Sequence, residues 1–281
     1  MNPSTRAFLG LSLLALVGAA ALHMLALLGM AVAWGAMVHL TLFGWITSMI
    51  TTITYHTTPV FAARDFPNQR LAWYHLGALG AGLLLAVTGL LAHVTMLTLA
   101  GIVLQIVAAL LFTANIVSLF RRGVPRPGRP PLPPVATQPR VDRIGTQATR
   151  SAGLCLPLAL LLLFGAYSGW LHGEWVLAAE HLAAVGWIML TVAGVMYHML
   201  PRFNGRGVRG PGWAKAQVTC QIVALLIMVP ALGFGVPMLF AVGGLMMTVA
   251  IGLLLWTVWP ALQLERRRNN AIPLMLKEQS Q

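Results

Sequence analysis

Charged residues are scarce in this 281-residue chain, and acidic residues are the scarcest: only 9% of the residues are charged, with 6 Asp and Glu against 18 Lys and Arg. Because 58% of the residues are hydrophobic, the composition is too apolar for a soluble globular protein. Only two cysteines occur, so neither a disulfide framework nor a cysteine zinc site is available. These shortages exclude soluble folds, thiolate metal clusters and phosphate-cradling loops, and they indicate a protein whose main partner is the lipid bilayer.

Long stretches without charge predict the membrane-spanning helices. Residues 7–63, 71–120 and 216–264 contain no Lys, Arg, Asp or Glu, and each can hold two helices because one span needs about 20 residues. Residues 151–172 and 180–200 add one span each. An open strand could not satisfy its backbone in lipid, so we predict an all-α polytopic membrane protein with eight transmembrane helices.

The basic residues predict the orientation of the chain. With eight spans, all 18 Lys and Arg fall on one face, which the positive-inside rule makes cytoplasmic together with both termini. The formal net charge of +12 therefore marks loops rather than a nucleic-acid partner. The apolar run after Arg6 could be a signal peptide, but its cleavage would leave an odd number of spans, so we expect it to be retained. The predicted localisation is a bacterial-type inner membrane.

An internal repeat is the strongest signal in the sequence. Eight positions of the second span match eight positions of the sixth span at one constant offset in the chain, which we call the repeat offset. The matching positions are His39, Leu40, Gly44, Trp45, Ile46, Tyr55, His56 and Pro59, which correspond to His181, Leu182, Gly186, Trp187, Ile188, Tyr197, His198 and Pro201. We therefore predict a tandem 4+4 repeat. Because four is even, both halves point the same way, and the second and sixth spans should face each other across an axis along the membrane normal.

The repeat and the composition divide the chain into four parts. Residues 1–120 are predicted to form the first four-helix unit and residues 151–264 the second. Residues 121–150 contain seven prolines and seven arginines, which predicts an extended cytoplasmic linker. Residues 265–281 are predicted to form a basic cytoplasmic tail.

The histidines are predicted to lie at two depths. A helix rises about 1.5 Å per residue, so His39 and His56 should be about 25 Å apart, close to the hydrocarbon thickness. His23 is placed nearer the middle of the membrane. The outer level collects His39, His93, His172, His181 and the acid Glu180, and the inner level collects His56, His75 and His198.

These imidazoles are candidate ligands for haem iron or copper. The equivalent positions of His39 and His181 predict that both rings approach one point, as ligation of haem by two imidazoles requires. Glu180 is the expected carboxylate partner of His181, and His93 is the expected support of His39. His56, His75 and His198 are further cofactor-binding candidates, although a histidine near a helix end can equally serve to bond a carbonyl or to reach the interface.

The repeated pattern is His, four residues, Gly, an aromatic residue, about ten apolar residues, an aromatic residue, two or three residues and Pro. This pattern resembles a span of the haem-copper oxidase subunit I superfamily. It is also similar to the nitric-oxide-responsive haem-and-copper membrane proteins associated with denitrification. In the first half the similarity continues through Arg64, Pro67, Arg70, Leu71 and His75, like the loop and next helix of the C-type oxidases. The resemblance implies haem b or copper as the cofactor, and other respiratory or denitrification membrane proteins as partners.

The sequence also departs from that superfamily. It lacks the His-His pair, the third copper histidine, the cross-linking tyrosine and the closely spaced histidine pair for two haems. We therefore do not expect a complete oxygen-reducing oxidase. The leading hypothesis is an inner-membrane haem- or copper-binding protein for electron transfer or for handling nitric oxide or metal. A transporter or assembly factor without a redox centre and a structural partner of an oxidase complex are the alternatives.

Overall fold

A computed structural model describes residues 1–126 and 133–263 of the chain. The described residues form eight helices that are long and apolar enough to cross a membrane, as the sequence predicts. The chain is thus an all-α, multi-pass protein. The spans, numbered in chain order, are Pro3–Leu27, Ala33–Ala62, Arg70–Ala92, Thr95–Arg122, Gln138–Tyr167, Trp175–Asn204, Pro211–Gly233 and Pro237–Leu262.

One end of the bundle carries the described basic residues, in its loops and in the parts of the helices nearest to those loops, and we call it the basic end. A two-residue antiparallel ladder at this end joins β1 (Arg64–Asp65) to β2 (Val124–Pro125). The ladder ties the loop after span 2 to the end of span 4. The arginines after Leu264 and the predicted tail 265–281 lie outside the described residues, as do residues 127–132 of the predicted linker.

Spans 2 and 6 each contain a π-helical segment that starts directly after a histidine. In span 2, Val32–His39 is α-helical, Leu40–Ile46 is π-helical and Thr47–Ala62 is α-helical. Span 6 has the same order of segments, namely Trp175–His181, Leu182–Met189 and Leu190–Asn204. A π-helix is rare and occurs frequently at functional sites. The two segments therefore draw attention to His39 and His181.

Spans 2 and 6 meet in the middle of the bundle, as the sequence predicts. The indole Nε1 of Trp187 donates a hydrogen bond to the Thr47 hydroxyl at 3.0 Å, and both side chains are buried. The two π-helical segments also contact each other. A hydrogen bond between spans that is shielded from lipid and water stabilises helix association, so this pair fixes the two halves together.

The predicted linker differs from the structure in residues 138–150, which are helical and belong to span 5. Pro139 is accepted because it stands in the first turn, where its missing N–H is not needed. Buried residues then recur at helical spacing along one face, including Val141, Gly145 and Ala148. Gly145 lies so close to Gly194 of span 6 that a Cβ on Gly145 would meet the Gly194 carbonyl oxygen at 2.8 Å. Because of its arginines, the composition of this stretch predicts a linker, whereas the stretch forms a packed helix.

Candidate functional site

His39 is buried in the first half, near the end of the bundle opposite the basic end. Its side chain is 4% exposed, and its Nε2 lies 2.9 Å from the amide nitrogen of Gln105 in span 4. The same amide nitrogen donates to the Gly82 carbonyl at 3.2 Å, which fixes it as a donor. The lone pair on Nε2 of His39 therefore accepts the second hydrogen, and the ring proton is assigned to Nδ1. The ring also packs on Phe43, with the centroids 4.9 Å apart.

His181, the matching residue of the second half, has a different environment. It is half-buried, and its Nδ1 donates to the Leu177 carbonyl at 2.9 Å. Its ring meets Phe240 of span 8 edge to face, with the centroids 5.7 Å apart. An imidazole whose Nδ1–H is held by a carbonyl presents the Nε2 lone pair, which is the arrangement found in histidine metal ligands.

The two imidazoles thus contact different helices. His39 is held against span 4 and His181 against span 8, so each ring is held by the last helix of its own half. Glu180 is half-buried. Within residues 1–126 and 133–263, no group of three or more His, Cys, Asp or Glu side chains is arranged to hold a metal ion. A metal ion bound at His39 or His181 would therefore be held by one of these imidazoles or by both.

His75, the most deeply buried histidine of the inner level, is 2% exposed and pairs with a tyrosine. The Tyr55 hydroxyl lies 3.0 Å from Nδ1 of His75. Phe8 and Phe112 enclose the imidazole, with ring centroids 4.7 Å and 5.6 Å away. Phe66 packs edge to face on Tyr55. The pair is therefore a polar contact inside an aromatic cluster.

The second half has a counterpart of this pair that the sequence reasoning missed. The Tyr197 hydroxyl donates to the side-chain oxygen of Gln217 at 2.9 Å. Gln217 occupies the position that His75 holds in the first half, at the repeat offset. The Gln217 amide then donates to Gln221, which donates to the Val185 carbonyl, at 2.7 and 3.0 Å. Both pairs separate tyrosine and partner by 20 residues, and this spacing could have identified Gln217 from the sequence.

His198 belongs to a charged network at the basic end of the second half. Its Nδ1 donates to Asp142 at 3.0 Å. Arg202 binds the same carboxylate through both of its terminal nitrogens, at 2.9 and 2.7 Å. The Gln138 amide donates to Asp142 at 2.8 Å and to the Tyr197 carbonyl at 2.9 Å. Asp142 lies in the stretch assigned to the linker, so the sequence reasoning overlooked it as the partner of His198.

The remaining histidines have exposed side chains. They are His23, His56, His93 and His172. His93 adopts a left-handed backbone conformation with φ of 55° in the turn between spans 3 and 4. The side chain that bonds the His39 imidazole in this structure is Gln105, and the supporting role of His93 stays a prediction.

No model of a known protein family matches the chain, and no curated protein matches it.

Proposed function

We propose that this protein binds haem or copper in the membrane through His39 and His181, and that it serves electron transfer or the handling of nitric oxide or metal. The observation that carries the proposal is that each histidine directly precedes a π-helical segment, Leu40–Ile46 in one half and Leu182–Met189 in the other. A π-helix is rare and is frequently found at functional sites. Two such segments at matching positions favour a role for both histidines.

The donor groups fit haem or copper in kind, since neutral imidazole binds both metals. His181 already presents its Nε2 lone pair, because its Nδ1 is bonded to the Leu177 carbonyl. His39 must exchange its hydrogen bond with Gln105 before its Nε2 can bind a metal. A bound haem or copper ion would supply one-electron redox chemistry or a site for a gaseous ligand. The hydrogen bond from Gln105 would then control how readily Nε2 of His39 can bind the metal.

The tandem 4+4 repeat is part of the same proposal. It is supported by helix bounds, because the helix of span 2 (Val32–Ala62) begins within one residue of the position that the repeat offset relates to the start of span 6 (Trp175–Asn204), and the two helices end at positions related by that offset. The tyrosine pairs of the two halves keep the same offset.

We also propose that both termini are cytoplasmic in a bacterial-type inner membrane, since the basic residues gather at one end of the bundle. A reporter fused at Gly173 should then be periplasmic, and a cytoplasmic reporter there would overturn the orientation.

The first test is a visible spectrum and a metal analysis of the wild-type protein purified in detergent. Haem predicts a Soret band that sharpens on reduction, and copper predicts a stoichiometric metal content. A colourless and metal-free protein would reject both haem and copper.

Glu180→Gln should keep the cofactor but change its affinity or potential, because a carboxylate near a histidine ligand tunes the basicity of that ligand. Glu174→Gln, which alters an exposed acid in the adjacent turn, is the matched control and should change neither.

A carrier of a small molecule or cofactor is the second candidate. It is favoured by buried carboxamide side chains inside the bundle, which are unusual in an apolar interior and often line a path for a solute. They are Gln105, Gln138, Gln217 and Gln221, each no more than 2% exposed. Uptake of a solute into vesicles by a protein that carries no metal would favour this function over the first.

A further inference from the structure

Arg209 is held against the exposed side of span 8, at the basic end. Its backbone N–H donates to the Thr257 carbonyl at 2.9 Å, and its Nε donates to the Trp256 carbonyl at 3.2 Å. In an α-helix the Trp256 carbonyl would accept from the residue four positions later, but that residue is Pro260, which has no N–H. Arg209 supplies the missing donor, so the proline of span 8 explains why the arginine lies there.

The guanidinium of Arg209 is also stacked on an aromatic ring. Its central carbon lies 3.6 Å from the centre of the Trp256 ring, which is a cation–π contact. Within residues 1–126 and 133–263, the two terminal nitrogens of Arg209 have no hydrogen-bond or ion-pair partner. Arginine binds phosphate through such N–H groups, because its planar fork matches the phosphate oxygens. The stack therefore orients donors that are available to a ligand.

The described acidic residues do not neutralise Arg209. No Asp or Glu occurs between Glu180 and Glu265 in the sequence. The ion pairs found in the described part of the chain are those of Asp142, with His198 and Arg202. An arginine without a described carboxylate partner favours an anion that comes from outside the chain.

An exposed apolar strip runs along span 8 from Trp256 toward the opposite end of the bundle. Its members are three or four residues apart and so share one helix face. We call them the span 8 strip, and they are Leu245, Val249, Gly252, Trp256 and Trp259. A Cβ on Gly252 would meet no atom within 4 Å, which leaves an open notch between Val249 and Trp256.

The length of the span 8 strip matches one leaflet of a bilayer. From Leu245 to Trp256 the helix rises about 16 Å, which is about half of the hydrocarbon thickness. Arg209 lies at the end of the strip where a headgroup would be, and the notch at Gly252 lies where an acyl chain would be. A tryptophan suits the boundary between the two regions, because its ring is apolar and its N–H is polar.

We propose that Arg209 and the span 8 strip form a binding site for one anionic phospholipid. The phosphate binds the terminal nitrogens of Arg209, and an acyl chain packs along the strip. An anionic headgroup is favoured over a zwitterionic one, because no described carboxylate offsets the positive charge. A soluble anion would contact the guanidinium and gain nothing from the strip. The proposal does not depend on whether the protein binds haem or copper.

Native mass spectrometry of the full-length protein in detergent tests the proposal, with phosphatidylglycerol and phosphatidylcholine of identical acyl chains as the two probes. We expect the first phosphatidylglycerol to bind more tightly than the first phosphatidylcholine by a factor on the order of five, which is what one basic residue contributes near an anionic lipid. Equal affinities would overturn the proposal. Inorganic phosphate that binds as tightly as phosphatidylglycerol would also overturn it, because the site would then be one for a soluble anion.

Two variants at the basic end separate a site at Arg209 from general surface charge. Arg209→Gln should remove the preference for phosphatidylglycerol. Lys215→Gln, which removes an exposed basic residue of span 7, should keep it. An equal loss in the two variants would contradict a site at Arg209.

A second pair of variants tests the span 8 strip without changing Arg209. Gly252→Leu fills the notch and should weaken binding of phosphatidylglycerol several-fold. Gly244→Leu is the matched control, because a Cβ there also meets no atom within 4 Å and the residue lies about 80° around the helix from Gly252. It should leave binding unchanged. If Arg209→Gln fails to fold, this pair decides, and equal binding in both glycine variants would contradict the proposal.

Discussion

The two halves of the bundle differ in the groups that satisfy their buried polar residues. In the second half, protein side chains complete the network around Tyr197 through Gln217 and Gln221. In the first half, the Tyr55 hydroxyl contacts the His75 imidazole, with Asn115 beside the hydroxyl. At the opposite end of the bundle, Gln105 bonds the Nε2 of His39, whereas His181 presents its Nε2 lone pair. The two sets of four spans thus satisfy their polar side chains with different groups, and the His181 lone pair is the one available to bind a ligand.

The largest effect should come from the charged network that distinguishes the second half. Asp142→Asn leaves Arg202, which is 13% exposed, without its carboxylate. Removing one member of a largely buried ion pair is strongly destabilising, and we expect a loss of about 2 kcal/mol in the free energy of unfolding, after allowing for solvent near this end. The apparent melting temperature in detergent should fall by about 5 °C. The same fall in Glu174→Gln, which changes an exposed acid, would show that the network has no special role.

The closed network of the second half should respond next. Gln217→Leu removes the acceptor of the buried Tyr197 hydroxyl and the donor to the side-chain oxygen of Gln221. We expect a cost of about 1–2 kcal/mol, because one unsatisfied buried group costs about that much. Gln217→His, which copies the first half, should lose less than half as much. Thermal unfolding of the two variants side by side measures the difference, and equal stability would contradict the importance of the hydrogen bond.

The smallest effect is expected for the reciprocal exchange in the first half. His75→Gln gives Tyr55 the kind of partner that Tyr197 has, so the hydroxyl can still donate to a side-chain oxygen. We expect a change below about 1 kcal/mol. His75→Leu should cost more, since it removes the acceptor. A cost for His75→Gln as large as that for His75→Leu would mean that the imidazole has a role that hydrogen bonding does not supply.

The number and approximate bounds of the spans could be predicted from the uncharged stretches. In lipid the backbone N–H and C=O groups must bond one another, and a helix achieves this within a single segment. The contact between spans 2 and 6 also follows, since His, Trp and Gly recur there at a fixed offset. The π-helical segments could not be predicted from the sequence. A π-helix has an extra residue in a turn, and a uniformly apolar helix has no hydrophobic periodicity that would show it. Residues 138–150 are misread as linker, since their arginines and prolines conceal the small residues that pack on span 6.

The polar partners inside the bundle were the least predictable part of the site. Gln105, Asn115 and Gln217 are uncharged residues within long apolar runs, where nothing in the sequence distinguishes a buried carboxamide from one at the interface. Histidines attract attention because they can bind metals, yet four of the eight are exposed in this structure. Only packing decides which imidazoles are buried, and packing brings Gln105 to His39 across 66 residues of chain.

The most direct test of the central claim is the cofactor content of two double variants purified in parallel. His39→Ala with His181→Ala removes both proposed ligands, whereas His23→Ala with His172→Ala removes two exposed histidines. Our account predicts that the first variant loses the haem or copper found in the wild-type protein and that the second retains it, because a transition metal needs its imidazole donors. Full occupancy in the first variant would contradict the account and transfer the site to the inner level, at His56, His75 and His198.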